Sequence, residues 1–189
     1  MPALTYQGPQ TLTAWIQTAK GYAGAEKRHV EQMVAGSANV MDLEMGHPGT
    51  ALRIDLVGVE EDSAGLWLRC VEVKRSRDSR VRSKGPRPEV IDQLEAYANY
   101  LSSPENSNAM ASAYAETARV LVSLAELAAE AGNPVQLSDL LVRACSEPLR
   151  VRPRVTLAVV VDEGDANWSA IHVGKLRASD VDVREVHWN

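Results

Sequence analysis

The chain has 189 residues, 45% of them apolar and 24% charged, with a net charge of −5. That is enough for one well-buried domain and too little for two, and the acidic balance argues against a protein that coats nucleic acid. No apolar run is long enough to span a bilayer and the first ten residues lack a signal-peptide pattern, so a cytoplasmic protein without a membrane partner is expected.

In chain order, "TLTAWIQTAKGYAGAEKRHVEQMVAG" predicts a first helix, capped by Thr11 or Thr13 and followed by Gly36, with Gly21 and Gly24 marking a break inside it. "NVMDLEM" reads as a short strand and "HPGT" as a turn. "ALRIDLVGVEE" alternates, with Leu52, Ile54 and Leu56 on one face and Arg53, Asp55 and Val57 on the other. "EDSAG" connects it as a hairpin to "LWLRCVEVKR", where Glu72 and Lys74 share a face with Leu68 and Cys70, opposite Val71 and Val73.

A polar loop, "SRDSRVRSKGPRP", is kept from helix by Gly85, Pro86 and Pro88, and "EVIDQLEAYANYL" then reads as a helix. "SSPENSN" is expected as a loop and "AMASAYAETARVLVSLAELAAEAG" as a long amphipathic helix closed by Gly132 and Pro134. Its stripe of Leu121, Leu124 and Leu127/Ala128 is expected to pack on the domain's own sheet rather than on another molecule. Ser138 opens a short helix in "LSDLLVRACS", "RVTLAVVVD" has the continuous apolar character of a central strand, and "WSAIHVGKL" and "VDVREVHW" read as two final strands at an edge. The expected class is α/β, one domain built around a mixed sheet. Its motif-bearing core spans residues 12–100, its helical segment 109–146 and its C-terminal strands 154–188.

Charge is distributed unevenly. Residues 69–87 carry eight basic and two acidic side chains, a local balance of +6, against −4 before and −7 after. The loop cations Arg75, Arg77, Arg80, Arg82, Lys84 and Arg87 follow directly on "VEVK" and suit phosphate contact, with a solvated loop as the plainer alternative. Asp55 and Glu72, on neighbouring strands, can converge at one sheet end. Two carboxylates and a backbone carbonyl suit a hard divalent cation, and Lys74 beside them suits an attacking water or a phosphate. The plainer alternative is a salt-bridged strand pair. Cys70 and Cys145 read as buried thiols; His29, His47, His172 and His187 show no ligand spacing, and only His29 comes near the site by its helix position. The absence of a Gly-rich phosphate loop disfavours a small-molecule phosphohydrolase.

Asp55, followed on the next strand by Glu72-Val73-Lys74, resembles the D…(D/E)-x-K signature of the PD-(D/E)XK nuclease superfamily, which includes type II restriction enzymes, archaeal Holliday-junction resolvases and RecB-type nuclease domains. "KGYAGAEKRHVEQMVAG" resembles the first helix of resolvase-like members, with Glu26, or secondarily Glu31, as the glutamate that joins the metal site. "QLEAYANYL" resembles the Q-x-x-x-Y helix of RecB-like members through Gln93 and Tyr97. Ile54 stands where the superfamily pattern has proline. The resemblance implies a restriction-endonuclease-like αβββαβ core with a helical insertion, and Mg2+ or Mn2+ held by Asp55, Glu72, Glu26 and the Val73 carbonyl. Lys74 and Gln93 would handle the attacking water and Tyr97 would support the site. The implied substrate is DNA, with RNA left open, and a helicase or other protein partner and a monomer or homodimer are compatible with it. The implied setting is bacterial or phage DNA processing or defence. The alternative is a catalytically silent nuclease-fold subunit that binds nucleic acid or a partner protein.

Overall fold

The computed structural model describes residues 5–22, 25–83 and 85–187, without the side chains of residues 20–22 and 25–27. Two helices, α1 (Pro9–Tyr22) and α2 (Ala25–Ala35), stand where a single broken helix is expected. Strands β1 (Val40–Gly46), β2 (Arg53–Asp62) and β3 (Gly65–Arg75) then form an antiparallel meander. The β2–β3 turn closes at Asp62↔Gly65: Gly65 takes φ +120°, open to glycine, and Asp62 accepts the Ala64 amide at 2.7 Å.

After α3 (Val90–Ser102), α4 (Pro104–Glu130) and α5 (Asp139–Arg143) come β4 (Leu149–Val151), β5 (Thr156–Val160), α6 (Val173–Ala178) and β6 (Val183–Val186). The six strands make one mixed sheet in the order β1-β2-β3-β5-β6. β4 runs parallel to the first half of β3 and β5 to its second half. β5 is buried at every residue, as its apolar run requires, and β6 is the edge strand expected there.

Each face of the sheet has its own core. On the first, Ile54, Val57, Leu68, Cys70, Leu157 and Val159 pack against Leu94, Tyr97, Met110, Trp168 and Leu176 from the helices. On the second, Leu56, Val71, Val73, Ala158 and Val160 are covered by Val30, Met33 and Val34 of α2. Among the described residues no helix is long and apolar enough to cross a membrane.

Four expectations need correction. "WSAIHVGKL" is helical: a single π-helical turn (Trp168–His172) runs into α6. β-favouring Trp, Ile and Val suggest a strand, but Trp168, Val173 and Leu176 are buried together at spacings of five and three, which only a helix provides. "SSPENSN" is not a loop: extended Ser103 is followed by Pro104 at the first helical position, so α4 starts there. The α4 stripe is not packed on the sheet, because Met110, Tyr114 and Ala118 make that contact while Leu124 and Leu127 stay exposed. The alternation of β2 breaks at Asp55, with Ile54 and Val57 in the first core and Leu56 in the second. The short strand β4 has no counterpart in the sequence-based expectation.

Candidate functional site

The break in β2 creates the site. The β2–β3 ladder ends at Leu56↔Val71, so the next residue of β2, Asp55, has left the register. The Val73 amide, which a continuing ladder would give to a β2 carbonyl, donates to Asp55 Oδ2 at 2.7 Å. The carboxylate thus sits in the wedge between two diverging strands, its side chain 17% exposed.

Glu72 and Lys74 project from β3 into the same wedge and are each 2% exposed. The Lys74 ammonium bonds Glu72 Oε1, donates to the Val73 carbonyl at 3.0 Å and lies 3.9 Å from Asp55 Oδ2. Ion pairs this deep persist when hydrogen bonds satisfy their remaining atoms. α3 supplies those bonds through Gln93 and Tyr97, one helical turn apart on one face. Gln93 Nε2 donates to Glu72 Oε1 at 2.8 Å and to the Tyr97 hydroxyl at 2.6 Å. The Tyr97 hydroxyl donates to the Arg53 carbonyl and lies 3.2 Å from Glu72 Oε2. Burial, reinforced by the Glu72 charge, raises the Tyr97 hydroxyl above the usual tyrosine range, so it stays a neutral donor.

Asp55, Glu72, Lys74, Gln93 and Tyr97 are therefore brought together in one cluster. The side chain of Glu26, like residue Lys84, lies outside the described residues; Glu31 is on the exposed side of α2. Among the described residues no three His, Cys, Asp or Glu side chains form a metal cluster. Both thiols are free: Cys70 is buried, which pushes it up to about 12, whereas Cys145 is only half-buried.

The basic loop differs from expectation in its pairing. Arg75 pairs with Asp162 and Arg82 with Asp165. Arg80 pairs with Asp78 at 2.6 Å, and Arg87 with Asp92 at 3.0 Å and Glu95 at 2.6 Å. Arg77 donates to the Glu163 carbonyl at 3.3 Å and lies 3.9 Å from Asp162. Ser76, fully buried, anchors the arrangement by donating to Asp165 at 2.5 Å and accepting the Asp162 amide at 3.1 Å. Burial alone would raise Asp162 and Asp165; their arginine and Ser76 contacts more than reverse it and hold both below the usual carboxylate range. The +6 segment is thus largely neutralised by acids from elsewhere in the chain, which local charge counting does not reveal.

His47 also borders the site. It is 3% exposed, lies against Tyr97 and Tyr100 with centroids 5.6 and 4.2 Å away, and has no hydrogen-bond partner at either ring nitrogen among the described residues. Burial lowers its pKa, so the ring is neutral. Nothing around residue 47 in the sequence signals this contact with Tyr97.

No family model, curated protein or solved structure matches the chain.

Proposed function

We propose that this protein is a metal-dependent hydrolase of phosphodiester bonds, and within that class a nuclease with a restriction-endonuclease-like core. The observation that carries this reading is the convergence of Asp55, Glu72 and Lys74 where β2 leaves β3, with Gln93 and Tyr97 fixing the Glu72 carboxylate. The order helix, three antiparallel strands, helix, then a strand parallel to β3 supports it.

The donor set fits a hard divalent ion: Asp55, Glu72 and the Val73 carbonyl offer only oxygen, and both carboxylates already flank one positive charge. Mg2+ or Mn2+ held there would lower the pKa of a water and offset charge on a phosphate. Lys74 would then direct its ammonium at that water or at the phosphate. Gln93 acts here as a positioning residue: its amide is committed to Glu72 and Tyr97, which fixes the carboxylate rather than the water. Tyr97 ties the same carboxylate to the first residue of β2.

The silent-subunit reading is favoured by one observation. Lys74 already bonds Glu72 and the Val73 carbonyl, so the cluster satisfies itself as a structural ion pair. Cleavage of supercoiled plasmid and single-stranded DNA separates the two. We expect cutting with Mg2+ or Mn2+, abolished by chelator and in Glu72→Gln and Asp55→Asn. Cutting that survives both substitutions would remove this site from the account, and no cutting together with no bound metal would favour the silent subunit.

A further inference from the structure

The basic loop has few cations to spare, and the guanidiniums that no carboxylate engages lie elsewhere on the surface. Among the described side chains, those of Arg28, Arg150 and Arg184 have no salt-bridge partner, and the last two flank one surface: the half of the sheet's second face that α2 leaves uncovered.

Strand register assembles that surface. Trp67 and Arg69 share the face of Val71 and Val73 by alternation along β3. Arg150 stands opposite Trp67 on β4, and Arg184 opposite Ala158, a residue of the second core, on β5 and β6. The Arg150 and Arg152 guanidiniums lie over the Trp67 ring at 5.3 and 4.2 Å. Beside them an open cleft of about 500 Å3 is lined by Arg69, Arg152, Arg154 and Arg184. A smaller one of about 160 Å3 shares Arg69 and Glu60 with it and runs towards Met33 of α2.

Acidic groups are present here as well, and their bonds are specific. Glu60 accepts from Arg69 at 3.2 Å and Arg152 at 2.9 Å, Asp62 from Arg152 at 2.5 Å and the Trp67 indole at 2.9 Å. Asp180 pairs with Arg154, and Asp182 accepts the Thr156 hydroxyl at 2.7 Å. Five arginines thus face four carboxylates, a small positive surplus in a chain of net charge −5. The carboxylates orient Arg69 and Arg152 while leaving most of the five donors of each guanidinium unused. Burial, and then the charge of Arg184, hold Arg69 below the usual arginine range, against the opposing influence of Glu60 and Asp182.

We propose that this face, from Arg150 and Arg152 over Trp67 across Arg69 to Arg184, binds the sugar–phosphate backbone of a nucleic-acid strand. The cleft and its charge stand independently of the nuclease reading; the identity of the polyanion rests on it. Guanidiniums suit the role because they grip phosphate oxygens in pairs. Arg69 lies five residues, roughly 17 Å, along β3 from Lys74, so the face would hold a strand at a distance from the cutting end.

Fluorescence anisotropy with a labelled single-stranded oligonucleotide, in chelator so that nothing is cut, tests this without reference to catalysis. Arg150→Ala/Arg184→Ala changes two exposed side chains and leaves the core intact. Binding is expected to weaken about tenfold or more, with the salt slope smaller by about two, one for each lost phosphate contact. Arg119→Ala on α4 should bind like the wild type. Unchanged affinity in the double variant, or a larger loss in Arg77→Ala/Arg87→Ala, would overturn the assignment. So would displacement of the oligonucleotide by inorganic phosphate at equal phosphate concentration, which would mark a small-anion pocket instead. Binding lost as expected, from a protein that never cuts, would sustain this inference while removing the nuclease reading.

Discussion

The two ends of β3 handle charge in opposite ways. At its start, Trp67 and Arg69 sit in a network open to water, each cation sharing carboxylates with its neighbours. At its end, Glu72 and Lys74 are withdrawn from water and sealed by α3. Exposed ion pairs are worth about 0–1 kcal/mol, because solvent screens them and side-chain entropy opposes them. A buried pair behaves differently: removing one partner strands the other in a medium that cannot solvate it. One strand therefore carries both a surface whose charges remain available to an incoming anion and a site whose charges are fixed in place. Covering by a helix, rather than residue type, separates the two.

The largest effect that sharpens this contrast is at Lys74. Lys74→Met should cost about 3–5 kcal/mol in urea unfolding, because Glu72 is left buried without its cation. Glu72→Leu/Lys74→Met together should recover much of that loss. Arg154→Ala at the other end should cost no more than about 1 kcal/mol. Equal losses at both ends would erase the distinction.

Next in size is Tyr97→Phe, expected to cost about 1–3 kcal/mol because Gln93 and the Arg53 carbonyl lose a buried partner. The same hydroxyl gives a pH signature. Its folded pKa is raised, so its contribution is complete below the unfolded tyrosine value and is lost as pH rises beyond it. An ultraviolet titration of the native protein should show Tyr97 and Tyr114, the latter raised by burial and Asp42, ionising only above the ordinary tyrosine range. A full complement of five tyrosines titrating near 10 in the native state would contradict the burial assigned to them.

The smallest effect is at the exposed hairpin. Bonds from Trp67, Arg152 and the Ala64 amide hold Asp62 at about 2, below its ordinary carboxylate value. Its contribution is present above that ordinary value and lost as pH falls towards 2. Asp62→Asn should therefore lower stability slightly at neutral pH and converge on the wild type as pH falls towards 2, which flattens the acid limb of the stability curve; a difference from the wild type that persists unchanged at pH 2 would mean a different role.

Much of the site is legible in the sequence because it depends on local spacing. Glu72 and Lys74 share a face through strand alternation, and Gln93 and Tyr97 through one helical turn. Their convergence follows once a hairpin joins β2 to β3. What spacing does not give is the departure of Asp55 from the ladder, since alternation there reads as regular and the break exists only in the packing of Ile54 and Leu56 on opposite faces. The fate of the basic loop is hidden for a related reason: its partners Asp162 and Asp165 lie more than eighty residues away. The segment from Trp168 shows β-favouring residues overruled by tertiary burial, and Pro104 shows a turn-like residue starting a helix.

The most direct test of the central claim is a calorimetric titration of the wild-type protein and Asp55→Asn with Mn2+, since Asp55 is the least buried carboxylate of the site and its isosteric amide should preserve the fold. The account predicts a saturable Mn2+ site in the wild type that is lost, or weakened at least tenfold, in Asp55→Asn. No binding by the wild type, or equal binding by both proteins, would show that Asp55, Glu72 and Lys74 are a structural ion cluster and not a metal-dependent centre.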